Sequence, residues 1–125
     1  MAKETSLSAG AIIRDILLND ESVRNITDKV FPIVIDEAKL PYILYRRSAL
    51  RHDPTKAGYP GADTVELEVV CYTARYAESI ELAEAVRNAL DYARTDKMRS
   101  CVLSGSEEGF EDDAFAQRLV FSIKI

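Results

Sequence analysis

The stretch Thr64 to Thr73, followed by Ala77 to Ala93, constrains the fold more than any other part of the chain. In the first segment Val65, Leu67, Val69 and Cys71 point one way, and Glu66, Glu68, Val70 and Tyr72 the other. An alternation of period two is a strand with one face buried. In the second segment Leu82, Ala83, Val86, Ala89, Leu90 and Ala93 form an apolar stripe, opposed by Glu78, Glu81, Glu84, Asn88 and Asp91. That pattern is an amphipathic helix. Each element has one apolar side to cover, and packing the helix on the sheet covers both.

The flanking segments extend this unit. Ser8 is placed to cap a helix to about Asn19, whose buried stripe is Ala9, Ile12, Ile13, Ile16 and Leu17. Asp20 caps a further short turn carrying Val23 and Ile26, ending at Thr27 and Asp28. Val30 to Ile35 reads as a short strand, and Pro32, with no N–H, assigns it to an edge or a bulge. Tyr42 to Arg47 reads as a second strand, apolar on both faces at its start. Such a strand is covered by a helix on one side and by something else, such as a neighbouring subunit, on the other. Met98 to Leu103 and Phe115 to Ile125 read as the last two strands. Phe115, Leu119, Phe121 and Ile123 form the buried face of the final strand, with Arg118 and Lys124 set to meet Glu66 and Glu68 if it pairs with the Thr64 strand. The expected fold is α+β: a mostly antiparallel sheet of four or five strands with an N-terminal helix and one long helix on one face.

Two segments read as loops. Arg51 to Asp63 contains Pro54, Gly58, Pro60 and Gly61 and is expected to be exposed and mobile. Ser104 to Asp113 reads as an acidic connection. Residues 1–5 are polar and expected to fray.

At 125 residues the chain fits a single domain spanning 1–125. Its net charge of −5 argues against coating duplex DNA or an anionic membrane surface, both of which need Lys and Arg in excess. Cys71 and Cys101 fall in apolar runs and read as buried free thiols, consistent with a reducing compartment. Ala11 to Leu18 is interrupted by Arg14 and Asp15 and does not read as a signal peptide. Synthesis in the cytoplasm is expected, with the product staying soluble or leaving in a particle.

Catalytic signals are sparse. The single histidine, His52, falls in the expected loop, where a solvated residue is the simpler reading than a general base. The five glycines make neither a dinucleotide nor a triphosphate cradle. Two charged clusters stand out. Arg46, Arg47, Arg51, His52 and Lys56, flanked by Tyr45 and Tyr59, suit a protein interface, a nucleic-acid backbone, or a hairpin that merely protects an edge. Glu107, Glu108, Glu111, Asp112 and Asp113 suit a solvated loop, a partner contact or a hard-cation site, although the spacing does not match a calcium loop.

Four stretches carry a family resemblance: an N-terminal helix leading to Val30-Phe31-Pro32; Leu40-Pro41-Tyr42-Ile43-Leu44-Tyr45; Val65 to Tyr72 running through Tyr76 into Ala77 to Leu90; and the closing strand Gln117 to Ile123. In this order they resemble the tail-completion, or tail-terminator, proteins of long-tailed phages, prophages and related gene-transfer particles. The resemblance covers nearly the whole chain, but its motifs are packing patterns. The loop 51–63 and the acidic turn match no family motif.

The resemblance implies a structural virion protein. Such a protein forms a hexameric ring that caps the tail tube, stops its growth and joins tail to head. Expected partners are other copies of the chain, the major tail-tube protein and a head-completion protein. No cofactor, metal or active site is expected, nor a membrane or a specific nucleic-acid sequence. A ring needs two different adhesive surfaces per subunit. The basic and acidic clusters are the candidates, and reversing Arg46 and Arg47 to Glu is expected to weaken assembly. The competing readings are another neck or connector protein of the same particle, and a dimeric α+β ligand-binding protein or small enzyme.

Overall fold

The computed structural model describes residues 5–33, 39–53 and 62–125. The chain begins with a 3-10 turn, Ser6–Ser8, and α1, Ala9–Asn19. Ser8 occupies the cap position of α1 but makes no side-chain cap bond there; the Thr5 hydroxyl caps the preceding turn by accepting from the Leu7 amide. Asp20 accepts from the Val23 amide and starts α2, Glu21–Arg24. The expected turn after α1 is therefore present with its expected cap.

Five strands follow, interrupted by one helix: β1 Val30–Pro32, β2 Tyr42–Asp53, β3 Ala62–Thr73, α3 Tyr76–Leu90, β4 Ser100–Glu111 and β5 Ala114–Lys124. They form one mixed sheet in the order β1-β2-β3-β5-β4. β1 pairs parallel with β2, and the other neighbours are antiparallel. Pro32 lies in an edge strand, as its missing donor requires.

The helices cover one face. Ile13 and Leu17 from α1, Leu82, Val86 and Leu90 from α3, and Ile43, Leu67, Val69, Phe121 and Ile123 from the sheet belong to one buried cluster. Both cysteines are free and buried. Among the described residues no helix lies over the other face of the sheet, where Val70 and Ala116 are nevertheless buried.

Four expectations need correction. The long helix ends at Leu90 rather than Ala93. Asp91 turns extended, its carboxylate accepts the Leu103 amide at 3.0 Å, and Tyr92 adopts a positive φ of 64°. The segment 51–63 is not wholly a loop: Arg51 pairs with Thr64 and His52 with Asp63, so β2 and β3 extend to Asp53 and Ala62. The acidic stretch is not a loop either. β4 continues through Glu111, paired along its length with β5, and only Asp112 and Asp113 turn the hairpin. Conversely, Met98 precedes β4 and bridges to Thr95. Val34 and Ile35, expected in β1, and residues 1–4 lie outside the described residues.

Candidate assembly surfaces

The alternation along β2 divides the basic cluster between the two faces of the sheet. Tyr45 points to the helix side and packs on the core. A Cβ on Gly10 would stand 2.9 Å from the Tyr45 ring, so glycine at this point of α1 admits the tyrosine. Arg47 Nη1 donates to the Leu7 carbonyl at 3.2 Å on the helix side. Arg46 turns to the open face, 3.5 Å from Glu68. A register shift between Arg47 and Ala49 follows. Beyond it Arg51 is exposed, and His52 Nδ1 stands 2.6 Å from Asp63 Oδ1. Hydrogen bonds from His52 and then Ser6 hold the Asp63 carboxyl below its ordinary range. Lys56 and Tyr59 lie outside the described residues.

The acidic cluster is divided in the same way. Glu107 faces the open side and receives Arg118 Nη1 at 2.6 Å, while Arg118 Nε donates to Glu68 at 2.7 Å. The Tyr72 hydroxyl donates to Glu111 at 3.0 Å and its ring stacks on Tyr42, centroids 5.1 Å apart. Burial, with the Glu111 contact next, pushes the Tyr72 phenol up to about 12. Glu108 points to the helix side, where it accepts from Tyr76 at 2.9 Å and Gln117 at 3.0 Å. Those two donors, Gln117 first, lower its pKa. Beside them Phe115 meets Tyr76 and Phe110 edge-on, and Phe110 is 60% exposed. Asp112 and Asp113 adopt φ of 51° and 61° in the turn.

Within one subunit the two clusters are linked through Glu68 and Arg118, which bridge Arg46 to Glu107. Arg51 lies on the rung Arg51–Thr64–Lys124–Ser100, and Tyr42 on the rung Tyr42–Tyr72–Ala116–Gly109 next to the acidic turn. Arg51 and the 112–113 turn therefore lie at opposite ends of the sheet, whereas Arg46 on β2 and Glu107 on β4 lie on neighbouring rungs of the open face with β3 and β5 between them. Of the two cations expected against Glu66 and Glu68, Arg118 reaches Glu68, whereas Lys124 stands opposite Thr64 and Ser100. The aromatic group Tyr42, Tyr72, Tyr76, Phe110 and Phe115 was not singled out in the sequence. These residues belong to five different elements, and only the fold brings them together, as the pair Tyr42–Tyr72 and the trio Tyr76, Phe115 and Phe110.

Among the described residues, no group of three or more His, Cys, Asp or Glu is placed to hold a metal. A shallow cleft of about 620 Å³ lies between α1 and the 95–97 turn, lined by Asp15, Asp20, Asp96 and Lys97 among others. No described helix is long and apolar enough to cross a membrane.

The arrangement is an α+β fold built on a five-stranded mixed sheet. Over 97% of this chain and 98% of the other, it superposes with a TM-score of 0.79 and 15% identity on a chain from the structure of the virion of a native gene transfer agent particle. At that identity the likeness establishes the fold. The chain belongs to the family of tail completion protein gp17, whose sequence model matches residues 11–125. It is thus a structural protein of a phage-type tail. No curated protein matches the sequence.

Proposed function

We propose that this protein closes the tail tube as a ring, stops tail growth and presents a surface to the head-completion protein. The observation that carries the reading is the family match across residues 11–125. The placement of basic residues on β2 and acidic residues on β4, toward opposite flanks of the sheet, supports it, because a head-to-tail ring needs two unlike surfaces on each copy. The work is structural, with no catalytic step, and its site is the head–tail junction of the virion. The partners are further copies of the chain, the tail-tube protein and the head-completion protein.

Light scattering with electron microscopy over a concentration series, with and without tail tubes, tests this. Closed rings, free or templated by tubes, are the expected result. A two-fold dimer at every concentration, or a monomer that tubes do not convert into rings, would overturn it.

A further inference from the structure

The sheet ends in two unlike edges. On one side, among the described residues, β1 covers β2 at Ile43, Leu44 and Tyr45. Just past β1 the Ile33 amide donates to the Tyr45 carbonyl at 2.7 Å. Ile33 is 68% exposed and Leu7, close by across a shallow depression with Pro32 and Arg47, is 61% exposed. Ile33 also adopts a φ of 61°. A β-branched residue is strained in that region, and such strain is characteristically kept where function uses it.

The opposite edge is complementary. β4 is outermost, and its outer side has no strand partner among the described residues. Between it and α3 runs a groove of about 180 Å³ whose walls include Ile80, Ala83, Leu103 and Leu119, with Glu84 beside them. β4 also carries Gly105 and Gly109. Neither adopts a left-handed φ, and a Cβ on either would meet nothing within 4 Å. Gly105 sits at the register shift of β4, where a bulge favours glycine, but nothing described within the chain demands glycine at Gly109, and glycine weakens a strand. Close approach of another backbone is a use that glycine in a strand does serve.

The two edges also match in height and direction. Tyr45, which anchors Ile33, continues through Val69 and Leu119 to Ser106 on a single rung. Leu119 and Ser106 line the groove. The projection and the groove therefore stand level on opposite edges. A rotation about an axis parallel to the strands brings one to the other without translation, which is the condition for a closed ring rather than a filament. β4 runs antiparallel to β2, so an added β2 edge would continue the antiparallel order. Arg46 and Arg47 accompany the projection, and the groove is lined by Glu84 and Arg87 together, so charge is balanced there.

We propose that the β1–β2 edge of one copy docks on the β4–α3 edge of the next. Ile33 and Leu7 seat in the groove, and Gly105 and Gly109 leave the receiving edge open to a neighbouring backbone. The proposal rests on the ring reading above and names the surfaces that make the ring.

Three changes to the full chain test it by scattering and microscopy, with tail tubes present if the wild type needs them. Asparagine tolerates the φ of Ile33, and valine has room at Gly109, so Ile33→Asn and Gly109→Val are expected to melt no lower than wild type. Each is expected to raise the concentration needed for rings at least ten-fold. The double variant Ile33→Cys with Ser106→Cys is expected to give, on mild oxidation, a ladder of covalent oligomers up to the closed ring. Folded variants that assemble at the wild-type concentration, or a ring-forming cysteine pair that stays monomeric after oxidation, would overturn these surfaces and leave the ring standing. A wild type that never forms rings would instead overturn the ring reading.

Discussion

Arg118 Nε donates to Glu68 Oε1 at 2.7 Å across the β3–β5 pair, and the same guanidinium reaches Glu107 on β4 at 2.6 Å. One side chain thus ties three strands together on the face that no helix covers. Those two carboxylates, Glu107 first, raise the Arg118 pKa and keep it charged. Because Arg118 is partly exposed, water and salt screen both pairs. Arg118→Met keeps the apolar cover and removes the charge. The expected loss is about 1 kcal/mol, a fall of roughly 4 °C in Tm for a domain of this size. Thermal melts check this, and the difference should shrink at high salt.

Phe121 and Leu67 are register partners at the centre of the core, and both are fully buried. Phe121→Ala removes a ring from a site that neighbouring strands cannot collapse into, at an expected cost of about 3–5 kcal/mol. Set against a total stability of roughly 5–15 kcal/mol, this should leave the protein marginally folded. Phe121→Leu should cost about 1–2 kcal/mol, as a milder change of core volume. Denaturant midpoints separate the two.

The parts of the fold legible in the sequence are those whose cause is local. The period-two run Val65 to Cys71 and the stripe Leu82 to Leu90 each determine their own element, and Asp20 is its own cap. The second half of β4 was not legible. Ser104-Gly105-Ser106-Glu107-Glu108-Gly109 has poor strand propensity and is held extended by its pairing with β5. The division of the charged residues between the two faces follows from strand register. The registers of β2 and β4 shift at Arg47/Ala49 and Leu103/Gly105, which no local pattern announces.

Cys71 and Cys101 are fully buried. Burial alone pushes the Cys71 thiol far up, and burial followed by the Asp91 charge pushes Cys101 up to about 12. The thiolate is the reactive form, so both should resist a polar thiol reagent at neutral pH in the native state. Both should label promptly in denaturant. Fast native labelling of either would show that the sheet opens locally around it.

The hairpin joining β4 and β5 turns through Asp112 and Asp113, both at positive φ. Two such residues in succession make the turn type that favours Asn-Gly. Asp112→Asn with Asp113→Gly should stabilise the chain by roughly 0.5–1 kcal/mol through backbone preference. A higher denaturant midpoint checks it, and an unchanged one would show that the aspartates carry compensating contacts.

Tyr76 and Glu108 set a pH window. The Glu108 pKa is lowered from its ordinary 4.5 by hydrogen bonds from Gln117 and then Tyr76, while Tyr76 is raised above 10.0, chiefly by its bond to Glu108. A depressed carboxyl contributes stability above its unfolded pKa and loses it as pH falls through the folded value. A raised phenol contributes below its unfolded pKa and loses it as pH rises through the folded value. Together they predict a plateau between about pH 4.5 and 10, with a decline on each side. Tyr76→Phe keeps the edge contact with Phe115 and removes the donor. Its stability profile should therefore lie below the wild type on the plateau and converge with it at both extremes. Denaturant midpoints across the pH range measure this, and a constant offset at every pH would mean that Tyr76 contributes through packing alone.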